Sequence, residues 1–363
     1  MEKSKDKLLI GAIGSAFLLL SLLVWLMPDS PYSLSERREL KQQPELSIET
    51  VINGRFMSQF EAYQLDQFPF RDAFRSLKAL TLLKADNNGI YVADGVIGSI
   101  DYPLKEKNLY YASKRFLNVY EQYLKDSGCS IYLSIIPDKN YFMAADNGYP
   151  AIDYERLVSA MKEHNSYMTY LDLFPFLKAE DYYRTDTHWK QEALPDVAGV
   201  LLEGMVDRDT TDYDYTVTEA DAEFYGVYYG QAALPLAPDR ISYLSNHTID
   251  QYKVYDAQNQ KQIPVYDLTK LTDKDPYEMF LGGPLSLVTI ENPACDNGKH
   301  LILFRDSFGS SLAPLLAQEY EKTTLIDIRY ILPAMLGALV DFQDADVLFL
   351  YSTMVLNNSE TLK

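Results

Sequence analysis

The first segment whose side chains could take part in catalysis is residues 183–189, which read YRTDTHW. Asp186 and His188 are two positions apart, and alternate side chains of an extended backbone leave on the same side. The carboxylate can then accept the Nδ1 proton of His188 and fix the tautomer that presents Nε2 as a base. The spacing therefore predicts an oriented general base, although Asp-x-His pairs are most often incidental.

The second segment is residues 300–312, which read HLILFRDSFGSSL. An apolar strand over 300–304 runs into a turn at Ser307, after which a helix begins. Such a turn lies at the carboxyl edge of the sheet, where α/β folds place their sites. The first N–H groups of the helix can receive an oxyanion there. The alternative is that Ser307 is only the N-cap of the helix.

A serine hydroxyl is weakly nucleophilic near neutrality and needs a base to remove its proton. Ser307, His188 and Asp186 together make a chemically complete nucleophile, base and orienting acid. The neighbouring Asp306 is expected to shape the turn rather than to act as an acid. Asp138 and Lys139 follow another predicted strand and are expected near the same edge.

Other classes of site find little support in the sequence. There are four histidines, no HExxH pattern and no glycine-rich phosphate-binding pattern, so neither a metal nor a nucleotide cofactor is predicted. The net charge of −19 argues against a nucleic-acid partner, which needs a basic face. Cys129 and Cys295 either pair as a disulfide or remain free thiols; the sequence leaves both open.

The elements that must position these residues form an α/β pattern. Apolar runs at 130–136, 300–304, 323–328 and 346–352 alternate with helical segments, which predicts a mainly parallel sheet with helices on its faces. A helix is predicted over 190–205 despite Pro195. Residues 48–84 are predicted to be helical around a break at Pro69, and 89–100 to form a hairpin that turns at Asp94-Gly95. The Tyr-rich, acidic stretch at about 210–290 is predicted to be an antiparallel β insertion.

The apolar N-terminal segment predicts on which side of the membrane the rest of the protein lies. Residues 8–27 are 20 residues without a charge, a helix of about 30 Å that is long enough to cross a bilayer. The lysines before it favour a cytoplasmic tail over 1–7. A cleaved signal peptide is the rival interpretation, but the run is long and no small-x-small site follows it. We therefore expect a single-pass anchor, a tether over 28–47 and an extracytoplasmic domain over 48–363.

Several motifs together resemble those of the DHHW protein family, which is similar to the SGNH-hydrolase-like acetyltransferases that acetylate alginate. They are Asp-Thr-His-Trp at 186–189, Arg-Asp-Ser-Phe-Gly at 305–309, DQFPFRD at 66–72, the hairpin at 89–100 and Ile328-Arg329-Tyr330. Thr187 and Lys190 depart from the pattern. Thr187 is tolerable because its side chain points away from the Asp186–His188 pair, whereas Lys190 could alter substrate contacts.

The resemblance implies an SGNH-hydrolase-like, flavodoxin-like three-layer α/β/α domain in which the Asp-x-His motif precedes the serine, so that the motif order is permuted. It implies a Ser307–His188–Asp186 triad that O-acetylates a cell-envelope or secreted polysaccharide through an acetyl-serine. The implied acetyl donor is a multi-pass membrane-bound O-acyltransferase. Two alternatives remain open: a carbohydrate acetylesterase with the same triad, and a non-catalytic glycan-binding or scaffold subunit.

The oxyanion and substrate contacts are less well defined by the sequence. Candidates are Gly282, Gly283, Arg305, Arg329, Tyr330 and Trp189. Gly282-Gly283 is a candidate oxyanion turn because glycine lets a backbone N–H approach closely, but a simple turn before Pro284 explains it equally well. Arg329 either binds the polysaccharide or pairs with an acid of the chain. Trp189 either packs the histidine loop or stacks on a sugar.

Overall fold

The computed structural model describes residues 2–33, 36, 38–82, 89–206, 213–234 and 236–363. The chain forms two compact units, which are described separately. One unit comprises 1–87 with 229–235, and the other comprises 88–228 with 236–363.

The first unit begins with the predicted apolar helix, α1 (Glu2–Leu26). Within it, Lys7–Leu26 is long and apolar enough to cross a membrane by length and composition. The side chains of Leu8, Phe17 and Trp25 are exposed along this helix. By length and composition, such a helix fits either a membrane anchor or a signal sequence.

Short elements follow α1 in the same unit. They are β1 (Tyr32–Ser33), β2 (Arg38–Glu39), α2 (Ile48–Ile52), α3 (Arg55–Asp66) and α4 (Arg71–Leu82). Pro69 separates α3 from α4, as predicted, because proline disfavours helical conformation in the residue before it. At the end of α3, the guanidinium of Arg38 holds the pKa of Asp66 down to about 2.

The second unit begins with the predicted hairpin, β3 (Ile90–Ala93) and β4 (Val96–Ser99). Asp94 and Gly95 have φ values of 50° and 78°. Two consecutive positive φ values match the turn whose twist suits a two-residue hairpin. The Asp-Gly prediction is therefore confirmed.

The second unit is built on an eight-stranded sheet. Its strands are β5 (Ser130–Ile136), β6 (Thr169–Asp172), β9 (Lys253–Asp256), β10 (Lys261–Ile263), β11 (Leu287–Glu291), β12 (His300–Arg305), β13 (Lys322–Ile326) and β14 (Asp346–Ser352). They lie in the order β10-β9-β11-β13-β12-β14-β5-β6. The five strands from β13 to β6 are parallel, and β11, β9 and β10 extend that sheet in antiparallel fashion.

Helices cover both faces of this sheet. The helices of the second unit are α5 (Glu106–Val119), α6 (Lys139–Met143), α7 (Tyr154–His164), α8 (Pro195–Val206), α10 (Phe308–Leu316) and α11 (Thr353–Asn357), and α9 (Val227–Ala232) spans the boundary between the units. On β12, Leu303 packs in the cluster that contains α8 and α10, whereas Ile302 packs in the one that contains α5 and α7. Adjacent strand residues point to opposite faces, so the unit has three layers.

Two predicted segments differ in detail from the structure. Pro195 is the first residue of α8 rather than an interior one, which suits a residue that lacks an N–H group. The insertion is antiparallel, as predicted: β7 (Thr216–Phe224) pairs with β8 (Asp239–Ser245) in a separate ribbon. Its later strands β9, β10 and β11 join the main sheet, and its first residues, 210–212, lie outside the described part.

Candidate active site

Ser307 lies at the carboxyl edge of the sheet, between the end of β12 and the start of α10. Asp306 fixes this turn with both carboxylate oxygens. One accepts the N–H of Phe308 at 3.0 Å, and the other accepts the N–H of Ser352 at 2.8 Å. Asp306 therefore shapes the turn, as the sequence predicts.

The loop that carries Asp186 and His188 closes on itself. The N–H of Tyr183 donates to the carbonyl of His188 at 3.1 Å, which narrows the base of the loop. The carboxylate of Asp239 accepts both the N–H and the hydroxyl of Thr185, at 2.8 and 2.6 Å. The loop is thus held by backbone and buried side-chain bonds rather than left free.

The Asp186 carboxylate is buried against a glycine. Its Oδ2 accepts the N–H of Val227 at 2.8 Å. A Cβ atom on Gly226 would lie 2.3 Å from the carbonyl oxygen of Thr185 and 2.4 Å from the Cα of Asp186. Only glycine allows so close an approach at this position.

Asp186, His188 and Ser307 form one hydrogen-bonded array. Nδ1 of His188 lies 2.6 Å from Oδ1 of Asp186, and Nε2 of His188 lies 2.8 Å from Oγ of Ser307. Asp186 is 1% exposed and His188 is 7% exposed. An ionised Asp186 accepts the Nδ1 proton, which leaves Nε2 free to accept the serine proton.

Tyr277 stacks on the imidazole, a contact that the sequence did not predict. The rings of His188 and Tyr277 are 3.8 Å apart and inclined by 8°. The Tyr277 hydroxyl shares a 2.7 Å hydrogen bond with Ser311, which lies one turn into α10. Tyr277 therefore stacks on one face of the imidazole and links it to α10, a role that only the folded structure reveals.

Two substrate candidates need correction because their side chains are buried. Trp189 is 0% exposed, and its Nε1 donates to the Ser311 hydroxyl at 2.9 Å. Arg305 is 1% exposed; its guanidinium lies 3.4 Å from Asp327, and its stem closely approaches Gly309. Trp189 packs the histidine loop against α10, and Arg305 packs beneath the serine turn.

The backbone donors near Ser307 are only partly available for an oxyanion. The Phe308 N–H is taken by Asp306, and the Gly283 N–H donates to the Phe280 carbonyl at 3.2 Å. Gly282 and Gly283 have φ values of 75° and 83°, so they form a turn that requires glycine. Among the residues that the structure describes, the Ser307 N–H has no hydrogen-bond acceptor. It is therefore a backbone donor that can serve an oxyanion formed at Ser307.

A cavity of about 250 Å³ opens beside the array. It is lined by polar and aromatic side chains and two small residues of the glycine turn: His188, Asp275, Tyr277, Glu278, Gly283, Pro284, Ser307, Ser310, Arg329 and Tyr330. Arg329 makes a two-point ion pair with Asp327, with Nη2 at 2.7 Å and Nε at 2.9 Å. Three candidates, Gly283, Arg329 and Tyr330, thus line the cavity, and Arg329 pairs with an acid of the chain.

Lys139 lies beneath the loop rather than in the cavity, and Asp138 is buried where its carboxylate accepts the hydroxyls of Tyr154 and Thr353. Lys139 is 3% exposed, and its ammonium group donates to the carbonyls of Tyr183 and Arg184 at 2.7 and 3.3 Å. Burial lowers the pKa of Lys139 to about 7, although nearby carboxylates such as Asp186 oppose the shift. Lys139 therefore supports the histidine loop from below.

The structure contains no ion-binding cluster among the residues it describes: no three His, Cys, Asp or Glu side chains are arranged to hold a metal. Cys129 and Cys295 are both free and half-buried. The array is thus built from a serine, an imidazole and a carboxylate alone.

Comparison with known proteins identifies the family. A family model described as DHHW protein matches residues 141–326, just over half of the chain. The chain belongs to the DHHW family. The matched region contains Asp186, His188 and Ser307. A search of curated proteins finds no match to this DHHW protein.

Two solved structures with TM-scores above 0.5 share its fold. A DHHW family protein from Eubacterium siraeum matches with a TM-score of 0.62 and 21% identity, over 76% of this chain and 95% of that one. Bacillus cereus PatB1, in a structure with a sulfonyl adduct, matches with a TM-score of 0.59 and 18% identity, over 75% and 97%. The O-acetyltransferase domain of Pseudomonas putida AlgJ matches with a TM-score of 0.46 and 14% identity, over 74% and 92%. The predicted SGNH-hydrolase-like α/β/α fold is confirmed.

Proposed function

We propose that this DHHW protein is a membrane-anchored, extracytoplasmic O-acetyltransferase that modifies a cell-envelope or secreted polysaccharide through an acetyl-serine intermediate. The observation that carries the proposal is the buried Asp186–His188–Ser307 array, whose two hydrogen bonds measure 2.6 and 2.8 Å. Acyl transfer needs a serine whose proton can pass to a base, and this geometry supplies one.

In the first half-reaction, Oγ of Ser307 attacks the carbonyl carbon of an acetyl donor. Its proton passes to Nε2 of His188, and Asp186 stabilises the imidazolium that forms. The Ser307 N–H donates to the developing oxyanion. The leaving group departs with the proton from His188, which leaves an acetyl ester on Ser307.

In the second half-reaction, a sugar hydroxyl enters the cavity. His188 removes the hydroxyl proton while the sugar oxygen attacks the acetyl carbonyl carbon. Collapse of the intermediate breaks the bond to Ser307, whose oxygen recovers the proton from His188. The polysaccharide leaves acetylated and the array returns to its starting state.

The proposed topology follows from α1. Residues 8–27 cross the membrane, the lysine-bearing tail over 1–7 stays in the cytoplasm, and residues 28–47 tether the catalytic domain, 48–363, on the outer side. A multi-pass membrane-bound O-acyltransferase supplies acetyl groups at that side. Protease digestion of intact and opened cells tests this orientation, because only the tail over 1–7 and the membrane span over 8–27 should be protected in intact cells.

The test of activity uses the full-length chain in detergent with an activated acetyl ester and an oligosaccharide. Ser307-dependent acetyl on the oligosaccharide supports the proposal. Acetate release that is unchanged by the oligosaccharide instead indicates an acetylesterase. If neither product forms, and polymer acetylation stays intact in a strain that lacks this protein, the chain is a non-catalytic subunit and the proposal is refuted. The control is Ser130→Ala, since Ser130 is exposed at the amino end of β5.

A further inference from the structure

The cationic and acidic side chains that line the catalytic cavity differ in how far neighbouring charges neutralise them. Among the described residues that line it, Arg329 is the one cation, and Asp327 engages that guanidinium at two points, with the closer contact at 2.7 Å. Asp327 also lies 3.4 Å from the buried Arg305, and Asp306 supplies a second carboxylate to this cluster. The two arginines and two aspartates cancel, so Arg329 brings little free positive charge to the cavity.

The opposite wall of the cavity is acidic. Asp275 and Glu278 both line it, on the turn that also carries Tyr277. Lys270 lies 3.6 Å from Glu278 but also 3.1 Å from Asp273, so one ammonium group is shared between two carboxylates. Glu278 therefore keeps part of its negative charge in the lining that it shares with His188 and Ser307.

The acidic wall is held in place. The Glu278 side chain packs against Gly283, where an added Cβ would approach it to 2.8 Å. The Asp275 carboxylate accepts the N–H of Tyr277 at 3.1 Å, which ties it to the ring stacked on His188. Each acidic residue thus has a contact within this wall, Glu278 with the glycine turn and Asp275 with the backbone of Tyr277.

The cavity continues into a second cleft of about 620 Å³, with Pro284 and Tyr330 in both linings. Exposed apolar side chains form much of that cleft, among them Leu332, Met335 and Leu339. Lys363, which also lines it, donates to the Tyr330 carbonyl at 3.2 Å. The continuation thus offers apolar surface and one engaged ammonium group, not the row of cations that a polyanion requires.

We propose that the sugar unit presented to Ser307 carries no carboxylate, and that Glu278 is a residue that sets this preference. The inference rests on the proposed acetyl transfer and narrows its acceptor to an uncharged hexose or N-acetylhexosamine unit. A uronate in the same position would bring its carboxylate against Glu278 and Asp275 in a partly desolvated cavity. Repulsion between like charges in such a cavity disfavours binding of the uronate, and salt screens this repulsion.

The test compares two oligosaccharides of equal length, one of neutral hexose units and one of uronate units, at pH 8. Acetyl transfer to each is followed for the wild type, Glu278→Gln and the control Glu291→Gln, which alters an exposed residue at the end of β11. We expect the wild type to favour the neutral acceptor. Glu278→Gln should raise kcat/KM for the uronate, relative to the neutral acceptor, by roughly three- to tenfold at low salt, and by less at high salt. Glu291→Gln should leave the ratio of kcat/KM for the two acceptors unchanged at both low and high salt.

Equal or better use of the uronate by the wild type, or an unchanged ratio in Glu278→Gln, overturns the inference. Equilibrium binding of both oligosaccharides to Ser307→Ala, with and without Glu278→Gln, gives the same ratio without turnover. Loss of acetyl transfer with the predicted binding ratio intact would therefore count against the proposed function alone. Acetyl transfer with an unchanged ratio would count against the acceptor preference alone.

Discussion

Nε2 of His188 lies 2.8 Å from Oγ of Ser307, although 119 positions separate the two residues in the chain. The imidazole comes from a loop after β6, and the hydroxyl comes from the turn after β12. The parallel sheet brings these segments to one edge because β5, β14 and β12 are neighbours in it. Every chemical step of the proposed mechanism depends on this contact.

Replacing Asp186 with asparagine should lower kcat for acetyl transfer by roughly 10³- to 10⁴-fold. An amide can present its NH₂ to Nδ1 of His188, which favours the tautomer with a proton on Nε2 and removes the base. The fold should persist, since asparagine matches aspartate in shape. Thr187→Ala is the control, because the Thr187 hydroxyl contacts the Met354 sulfur rather than the array. Wild-type kcat in Asp186→Asn would contradict the assigned role.

Tyr277 should act as a positioning residue for the imidazole. Tyr277→Phe keeps the ring stacked 3.8 Å from His188, so its kcat should stay within about threefold of the wild type. Tyr277→Leu removes the stack and should lower kcat by roughly ten- to a hundredfold. The readout is the pH profile of kcat, whose lower limb should shift in Tyr277→Leu because the surroundings of the imidazole change. An unshifted profile in that variant would indicate a purely structural residue.

Lys139 should make stability depend on pH. The pKa of this buried lysine is lowered to about 7 in the folded state, against an ordinary value of 10.5. Between these values the unfolded chain binds more protons, so the free energy of unfolding contributed by Lys139 rises with pH. We expect the wild type to gain stability relative to Lys139→Met from about pH 7 to about pH 10, with no such trend below pH 7.

Chemical denaturation of both proteins across this pH range measures that difference. Lys114→Met is the control, since Lys114 is an exposed lysine of α5. A difference between wild type and Lys139→Met that stays flat from pH 7 to pH 10 would show that Lys139 is protonated throughout.

Much of the architecture could be predicted from local signals. Asp94-Gly95 specifies a hairpin by its backbone preference, and an apolar run such as 130–136 specifies a buried strand by its uniform hydrophobicity. The array was predictable because Asp186 and His188 are close in sequence and Ser307 follows a strand. These features depend on residue type and short spacing.

Other features arise only when distant segments meet. Tyr277 belongs to a short turn with no motif, and its stacking on His188 depends on packing across the fold. Trp189 and Arg305 adjoin the motifs, yet their side chains turn inward and are buried. The late strands of the insertion look like a separate β ribbon, but they extend the main sheet, and strand pairing of this kind leaves no local signal.

The most direct test of the central claim is intact-protein mass spectrometry of the full-length chain after reaction with an activated acetyl ester. We expect a gain of one acetyl group, mapped to Ser307 by fragmentation and absent in both Ser307→Ala and His188→Ala. An acetyl group on another residue, or equal labelling in Ser307→Ala, would contradict it.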